Sequence, residues 1–211
     1  MYLYGAVRTY LEDASSDRPT PGGGSVAALA GALGTSMACM AANFTVGKKK
    51  FEAVEPEVRC HLEVCLRVRD ELLRLMDEDT LGYAKVSAAY AMPKESAVEK
   101  VMRSEAIQKA LLAAMDPPVQ TVRLCRQLLQ SVARLADIAN PNLISDVGVA
   151  ALLGEAALGA AKLNVEINLA AVKDAALVAQ VRAEIEEAAR EGAANARAVA
   201  EKVALVIGGD A

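Results

Sequence analysis

The chain has 211 residues and a net charge of -4; 54% of its residues are hydrophobic, 3% are aromatic, and Trp is absent. That length carries one sizeable core, and the acidic balance argues against a general nucleic-acid binder. A core built from Ala, Leu, Val and Met rather than rings favours close helix packing over a sheet.

Residues Tyr2 to Asp13 form a short amphipathic segment with Leu3, Val7 and Leu11 on one stripe. Arg8, Glu12 and Asp13 interrupt it, so it does not resemble a signal peptide. A loop rich in Ser, Pro and Gly runs from Ala14 to Gly24, and Ser25 is placed to cap the helix that follows. The N–H groups beside Gly22, Gly23 and Gly24 suit either an anion or simply a tight opening turn. A nucleophile elbow is excluded, because Ala27 stands where the motif needs glycine.

From Ser25 to Gly47 no residue is charged, and Lys48, Lys49 and Lys50 close the run. Leu29, Leu33, Met37, Met40 and Phe44 make a bulky ridge at helical spacing, while Ala30, Gly34, Ala38 and Ala42 make a smooth line. Gly31 and Gly34 each cost such a helix about 1 kcal/mol relative to alanine, so packing must hold it and it should lie at the centre. Its length would span a bilayer, but its many small residues, Asn43 near its end and the missing Trp belt argue for a protein interior and no membrane.

Pro56 suits the first turn of a long helix reaching about Tyr90, with Val58, Leu62, Cys65, Leu72, Met76, Tyr83, Val86 and Tyr90 on one line. Asp79 falls on that apolar line, whereas Asp77 and Glu78 point elsewhere toward water. A carboxylate there has either a structural hydrogen bond or a task. Two further helices are predicted over Glu95–Met115 and Pro117–Ala139, with Asp116 capping the second and Arg123, Arg126 and Arg134 on a solvated face. Asn140, Pro141 and Asn142 form a stop. Ser145 and Asp146 open a second small-residue helix, with Asp146 suited to cap it and to complement its dipole, and Asn164 and Asn168 share a face of it. Asp146 and Asn164 are 18 positions apart, about 27 Å on a straight helix, so a small ligand touching both needs two copies of the chain. Asp174 to Ile207 is a last amphipathic, outer helix.

Cys39, Cys60, Cys65 and Cys125 form no CxxC pair and read as free buried thiols of a reducing, cytoplasmic protein. His61 and Cys65 share a helix face, but two ligands do not make a zinc site, and no metal is expected. The predicted fold is all-α: one domain over residues 1–211, a multihelical bundle with two buried small-residue helices inside long amphipathic outer helices.

Taken together, PTPGGGS (19–25), GKKKFEAVE (47–55), Asp79 with AYAMPK (89–94), NPNLISDVGVA (140–150) and LNVEINL (163–169) resemble the cyclodeaminase domain of formiminotransferase-cyclodeaminase and its stand-alone methenyltetrahydrofolate cyclohydrolase relatives. The resemblance covers nearly the whole chain in order. It implies a helical homodimer acting on a tetrahydrofolate derivative without metal or redox cofactor. The implied reaction is addition of water to 5,10-methenyltetrahydrofolate, giving 10-formyltetrahydrofolate, or, alternatively, closure of 5-formiminotetrahydrofolate with loss of ammonia. On that basis Asp79 and Asp146 are the acid–base candidates. Gly22, Gly23, Gly24, Ser25, Asn43, Asn142, Asn164 and Asn168 are binding candidates, and Lys48, Lys49 and Lys50 attract the glutamate tail unless they only end a helix. The chain departs from the family pattern twice: Leu81, Gly82 and Ala84 stand where a second acid often follows the position of Asp79, and Glu166 stands between the two asparagines. A folate-binding dimer without catalysis and a ligand-free structural bundle are the competing expectations.

Overall fold

A computed structural model describes residues 1–209. Among these residues there are six α-helices and no strand: α1 Val7–Ala14, α2 Gly23–Asn43, α3 Glu55–Tyr90, α4 Ala97–Ile138, α5 Ile144–Leu169 and α6 Ala175–Gly208. Helices α2, α3, α4 and α5 pack as a ring, each against the next, and α6 lies in the groove between α4 and α5. The expected all-α architecture is the observed one.

The smooth line of α2 faces inward: Gly34, Ala38 and Ala42 are buried and Ala30 is half-buried, and Ala27 and Gly31 beside it are buried too. A methyl group added at Gly34 would lie 3.0 Å from Leu153 Cβ, 3.1 Å from the Ala150 carbonyl and 3.3 Å from the Gly154 nitrogen. The backbones of α2 and α5 thus approach as closely as absent side chains allow. Around that crossing, Leu72, Leu128, Leu129, Val132 and Ile185 are fully buried, each contributing about 1.5–3 kcal/mol through area removed from water.

The ridge does not share this enclosure. Leu33 is 54% exposed, and Met40 and Phe44 are exposed too. α5 repeats the pattern, with Val149, Leu152, Leu163 and Ile167 outside and Gly154, Ala157 and Ala161 inside. Both faces of these helices are apolar, so hydrophobicity alone does not say which one turns in; the smaller face wins because it permits the shorter interaxial distance. Both α2 and α5 are long and apolar enough to cross a membrane, yet much of each is buried against its neighbours.

Several expectations need correction. The two helices predicted on either side of Asp116 are one, α4, with Pro117 and Pro118 inside it and buried. Those prolines take away the N–H partners of the Ala113 and Ala114 carbonyls, but packing on both flanks holds the helix together. Asp116 therefore caps nothing. Ser96 begins α4 instead, in a reciprocal capping box with Glu99. Ser25 is not the cap of α2: the helix starts at Gly23 with Gly22 before it. Asp146 sits in the first turn of α5 rather than at its cap. In α1, Tyr10 is buried while Val7 and Leu11 are exposed. Asp77 is buried, not solvated, and accepts the Tyr2 and Leu3 backbone N–H groups at 2.6 and 3.4 Å. Cys60 is exposed, whereas the other three thiols are buried. Arg123 and Arg126 lie at the surface but clasp Glu184 and Glu191 of α6, the second through two bonds of 2.6 Å, and Arg134 pairs with Glu57 of α3.

Candidate active site

At the N-terminal end of α2 the ring leaves a cavity of about 230 Å3. Four helices supply its wall: Gly23 and Gly24 from α2, Asp79, Tyr83 and Val86 from α3, Ala114 from α4, and Asn164, Ile167 and Asn168 from α5, with Pro19, Thr20 and Gly22 from the preceding loop.

Asp79 is the centre of the polar part. It is half-buried and accepts the backbone N–H of Ser25 at 2.9 Å through Oδ2. Burial pushes its carboxyl above the usual carboxylate range, and the Ser25 hydrogen bond only partly opposes that. Among the described residues no cation pairs with it.

The glycine triplet has a steric purpose. A methyl at Gly24 would lie 2.1 Å from Asp79 Oδ1, and one at Gly23 would lie 3.2 Å from Asn164 Nδ2. Only bare backbone lets the first turn of α2 rest on the carboxylate and the amide together. Ser25 itself is buried, and its hydroxyl shares a 3.0 Å hydrogen bond with the Tyr10 hydroxyl. Tyr10 in turn meets Tyr2 edge to face at 5.1 Å. The N-terminal segment thereby braces the turn that holds Asp79.

Asn164 and Asn168 each donate Nδ2 to the carbonyl four residues back, Ala160 and Asn164, at 2.8 and 2.9 Å. That fixes both side chains and keeps each Oδ1 as an acceptor. A half-buried carboxylate beside two anchored amide oxygens is suited to hold a cationic or N–H-rich ring and to move a proton at it.

Of the residues singled out in the sequence, Asp79, Gly22, Gly23, Gly24, Asn164 and Asn168 line this one cavity. The others do not. Asn43, the last residue of α2, and Lys48, Lys49 and Lys50 are exposed at the opposite end of that helix. Asn142 is exposed in a 3-10 turn, and Asp146 is half-buried just beyond it. This second group gathers because the Asn140 N–H reaches Thr45 Oγ1 at 2.8 Å, tying the start of α5 to the end of α2. About 27 Å of α5 separates Asp146 from Asn164, which lines the cavity of Asp79, so Asp146 and Asp79 do not meet within one copy. Sequence reasoning missed Ala114, Ile167, Thr20 and Tyr10. Ile167 had a local signal, since it adjoins Asn168; Ala114 and Tyr10 had none.

The sequence profile described as formiminotransferase-cyclodeaminase matches residues 6–187. The chain belongs to that family. A methenyltetrahydrofolate cyclohydrolase of Methylorubrum extorquens is 38% identical over 90% of this chain and 92% of its own length. The formimidoyltransferase-cyclodeaminase of Gallus gallus is 32% identical over 86% of this chain, which spans 34% of that longer protein. The crystal structure of a formiminotetrahydrofolate cyclodeaminase from Thermotoga maritima superposes with a TM-score of 0.78 at 32% identity, over 97% of this chain and 96% of that one.

Both departures from the family pattern have structural readings. Glu166 turns away from the cavity to Arg182 of α6, with a 2.9 Å bond. It adds no charge between the asparagines. At Gly82 a methyl would lie 3.3 Å from Ala114 Cα, so an acidic side chain there would collide with α4. Among the described residues no three His, Cys, Asp or Glu side chains converge to hold a metal ion.

Proposed function

We propose that the chain, as one unit over residues 1–211, is a cytoplasmic methenyltetrahydrofolate cyclohydrolase. The observation that carries this reading is Asp79, a half-buried carboxylate with a raised pKa, one backbone hydrogen bond and no cation beside it. The substrate 5,10-methenyltetrahydrofolate brings the missing cation: its bridging carbon lies between two nitrogens that share a positive charge. Water adds to that carbon, and Asp79 takes one proton from it. The neutral adduct then opens. The bond from carbon to N5 breaks, N5 takes the proton from Asp79, and the hydroxyl proton leaves to solvent as the 10-formyl carbonyl forms. Atoms balance, with one proton released overall. Asn164 and Asn168 accept hydrogen bonds from the pterin ring. Nothing in the sequence of steps needs a metal or a redox cofactor.

The same residues support ring closure of 5-formiminotetrahydrofolate with ammonia as leaving group, and the Thermotoga maritima relative at 32% identity favours keeping that second reading. The working form is read as a homodimer. Leu33, Met40 and Phe44 of α2 and Leu152 and Leu163 of α5 make an exposed apolar face between the two ends of those helices. A two-fold axis across that face would bring the Asp146 and Lys48–Lys50 end of one copy to the Asp79 end of another. That arrangement would reunite the two candidate acids.

The test is the absorbance of methenyltetrahydrofolate with purified protein. Wild type is expected to accelerate its loss, and Asp79→Asn to lose roughly a hundredfold to ten-thousandfold of that rate. Ammonia release from formiminotetrahydrofolate separates the two reactions. Rates equal to the uncatalysed ones in both assays would leave a folate binder or a structural bundle.

A further inference from the structure

One helical turn beyond the Asp79 cavity, along α3 from Val86 to Tyr90 and from Asn168 past the end of α5 to Ala171, lies a second cavity of about 340 Å3. Its wall carries Lys94, Lys100, Arg103 and Lys173 and no acid. None of these four is ion-paired among the described residues, although eleven other cations of the chain are. Two of the acids near in sequence are engaged elsewhere: Glu99 closes the capping box of α4, and Asp174 caps α6 by accepting the Ala176 and Leu177 N–H groups at 3.0 Å each. Glu95 and Glu105 are exposed, and neither lines the cavity nor pairs with its cations.

Two of the cations are fixed in place. Arg103 is half-buried, lies over the Tyr90 ring at 5.6 Å and donates to the Tyr90 carbonyl at 2.9 Å. Lys173 Nζ donates to Ser104 Oγ at 2.7 Å, and its backbone N–H is held by Gln108 Oε1 at 2.8 Å. Gln108 also donates to the Ala171 carbonyl, which pins the end of α5 to α4. Lys94 and Lys100 are exposed on the same wall, and four like charges lining one hollow repel each other unless an anion joins them.

We infer that this basic cavity is the subsite for the carboxylates of the glutamate tail, with the pterin in the neighbouring cavity. The inference rests on the folate reading above. It moves the tail away from Lys48, Lys49 and Lys50, which lie at the far end of α2. A molecule with its one-carbon bridge at Asp79 would run its aminobenzoyl ring along the trough between α3 and α4, over Ile107 and Leu111, and reach Arg103 and Lys173 with its carboxylates. Further γ-linked glutamates would add carboxylates for Lys94 and Lys100.

The experiment compares the monoglutamyl and pentaglutamyl forms of the substrate, by KM in turnover and by calorimetric Kd with the unreactive tetrahydrofolate of each tail length. Wild type should favour the pentaglutamyl form by roughly tenfold at low salt, and less as ionic strength rises. In the double variant Lys94→Ala, Lys173→Ala and in Lys100→Glu that ratio should collapse toward one. A ratio that survives in these variants, is lost in Lys48→Ala, Lys50→Ala instead, or is absent from wild type overturns the inference. Wild type that turns over neither form refutes the catalytic reading alone, because the calorimetric ratio still decides the subsite.

Discussion

Replacing Gly24 by alanine tests the candidate site with a single methyl group. The new Cβ would stand 2.1 Å from Asp79 Oδ1, 2.6 Å from its Cγ and 2.8 Å from Oδ2. Ordinary carbon–oxygen contact requires the carboxylate to withdraw by roughly 1 Å. Withdrawal breaks the 2.9 Å bond from the Ser25 N–H. Losing a hydrogen bond to a charged group costs about 1.5–3 kcal/mol, and alanine returns about 1 kcal/mol of helix propensity. The net loss is about 1 kcal/mol, a fall in Tm of roughly 3 °C for a chain of this size. Catalysis should suffer far more, since a 1 Å misplacement of a reacting group costs on the order of a hundredfold. Thermal unfolding measured beside the methenyltetrahydrofolate assay separates the two effects. A variant that keeps kcat/KM within about threefold of wild type would refute the assignment of Asp79 and of the glycine turn that seats it.

Asp79→Asn should gain stability at neutral pH relative to wild type: burial raises the folded carboxyl above its unfolded value, so its stabilising contribution is complete below about pH 4 and lost as pH rises through the folded value. The Tm difference between the two proteins should therefore open on going from acid to neutral solution. Gly34→Val forces side-chain atoms between α2 and α5 and should cost about 3 kcal/mol or more in urea unfolding. Asp77→Ala leaves the Tyr2 and Leu3 N–H groups without their acceptor; it should cost about 1–3 kcal/mol and speed hydrogen exchange at both amides. Leu152→Glu puts a charge on the exposed apolar face. On the proposed homodimer, sedimentation should show the variant's subunits separating at roughly a hundredfold higher concentration than wild type, with activity falling in parallel.

Most of the fold was legible because glycine, alanine and proline act locally. Pro56 marked the start of α3, and Asp174 marked that of α6, each through chemistry within one turn. The error at Pro117 and Pro118 has a physical reason: a proline pair ends a helix only when nothing else holds it, and here α3 and α5 grip α4 on both sides of the break. The burial of Asp77 was illegible, because its partners are backbone amides 75 and 74 residues away. For the site, Asp79 was visible as a carboxylate on an apolar line, and Asn164 with Asn168 as a polar pair on an apolar helix. Lys48, Lys49 and Lys50 drew attention by their density in sequence, while Lys94, Lys100, Arg103 and Lys173 escaped it, since only the approach of α3, α4 and the end of α5 gathers them.

Every polar group of the Asp79 hollow is carried by a helix of the central ring or by the loop that opens one. Asp79 lies on the 36-residue α3, and the two asparagines lie on α5, whose inner face is core. The chemistry has no separate scaffold that could soften while the rest stays intact. Heat inactivation and cooperative melting should accordingly follow one curve, and a variant made more thermostable through its core should keep working to the same higher temperature.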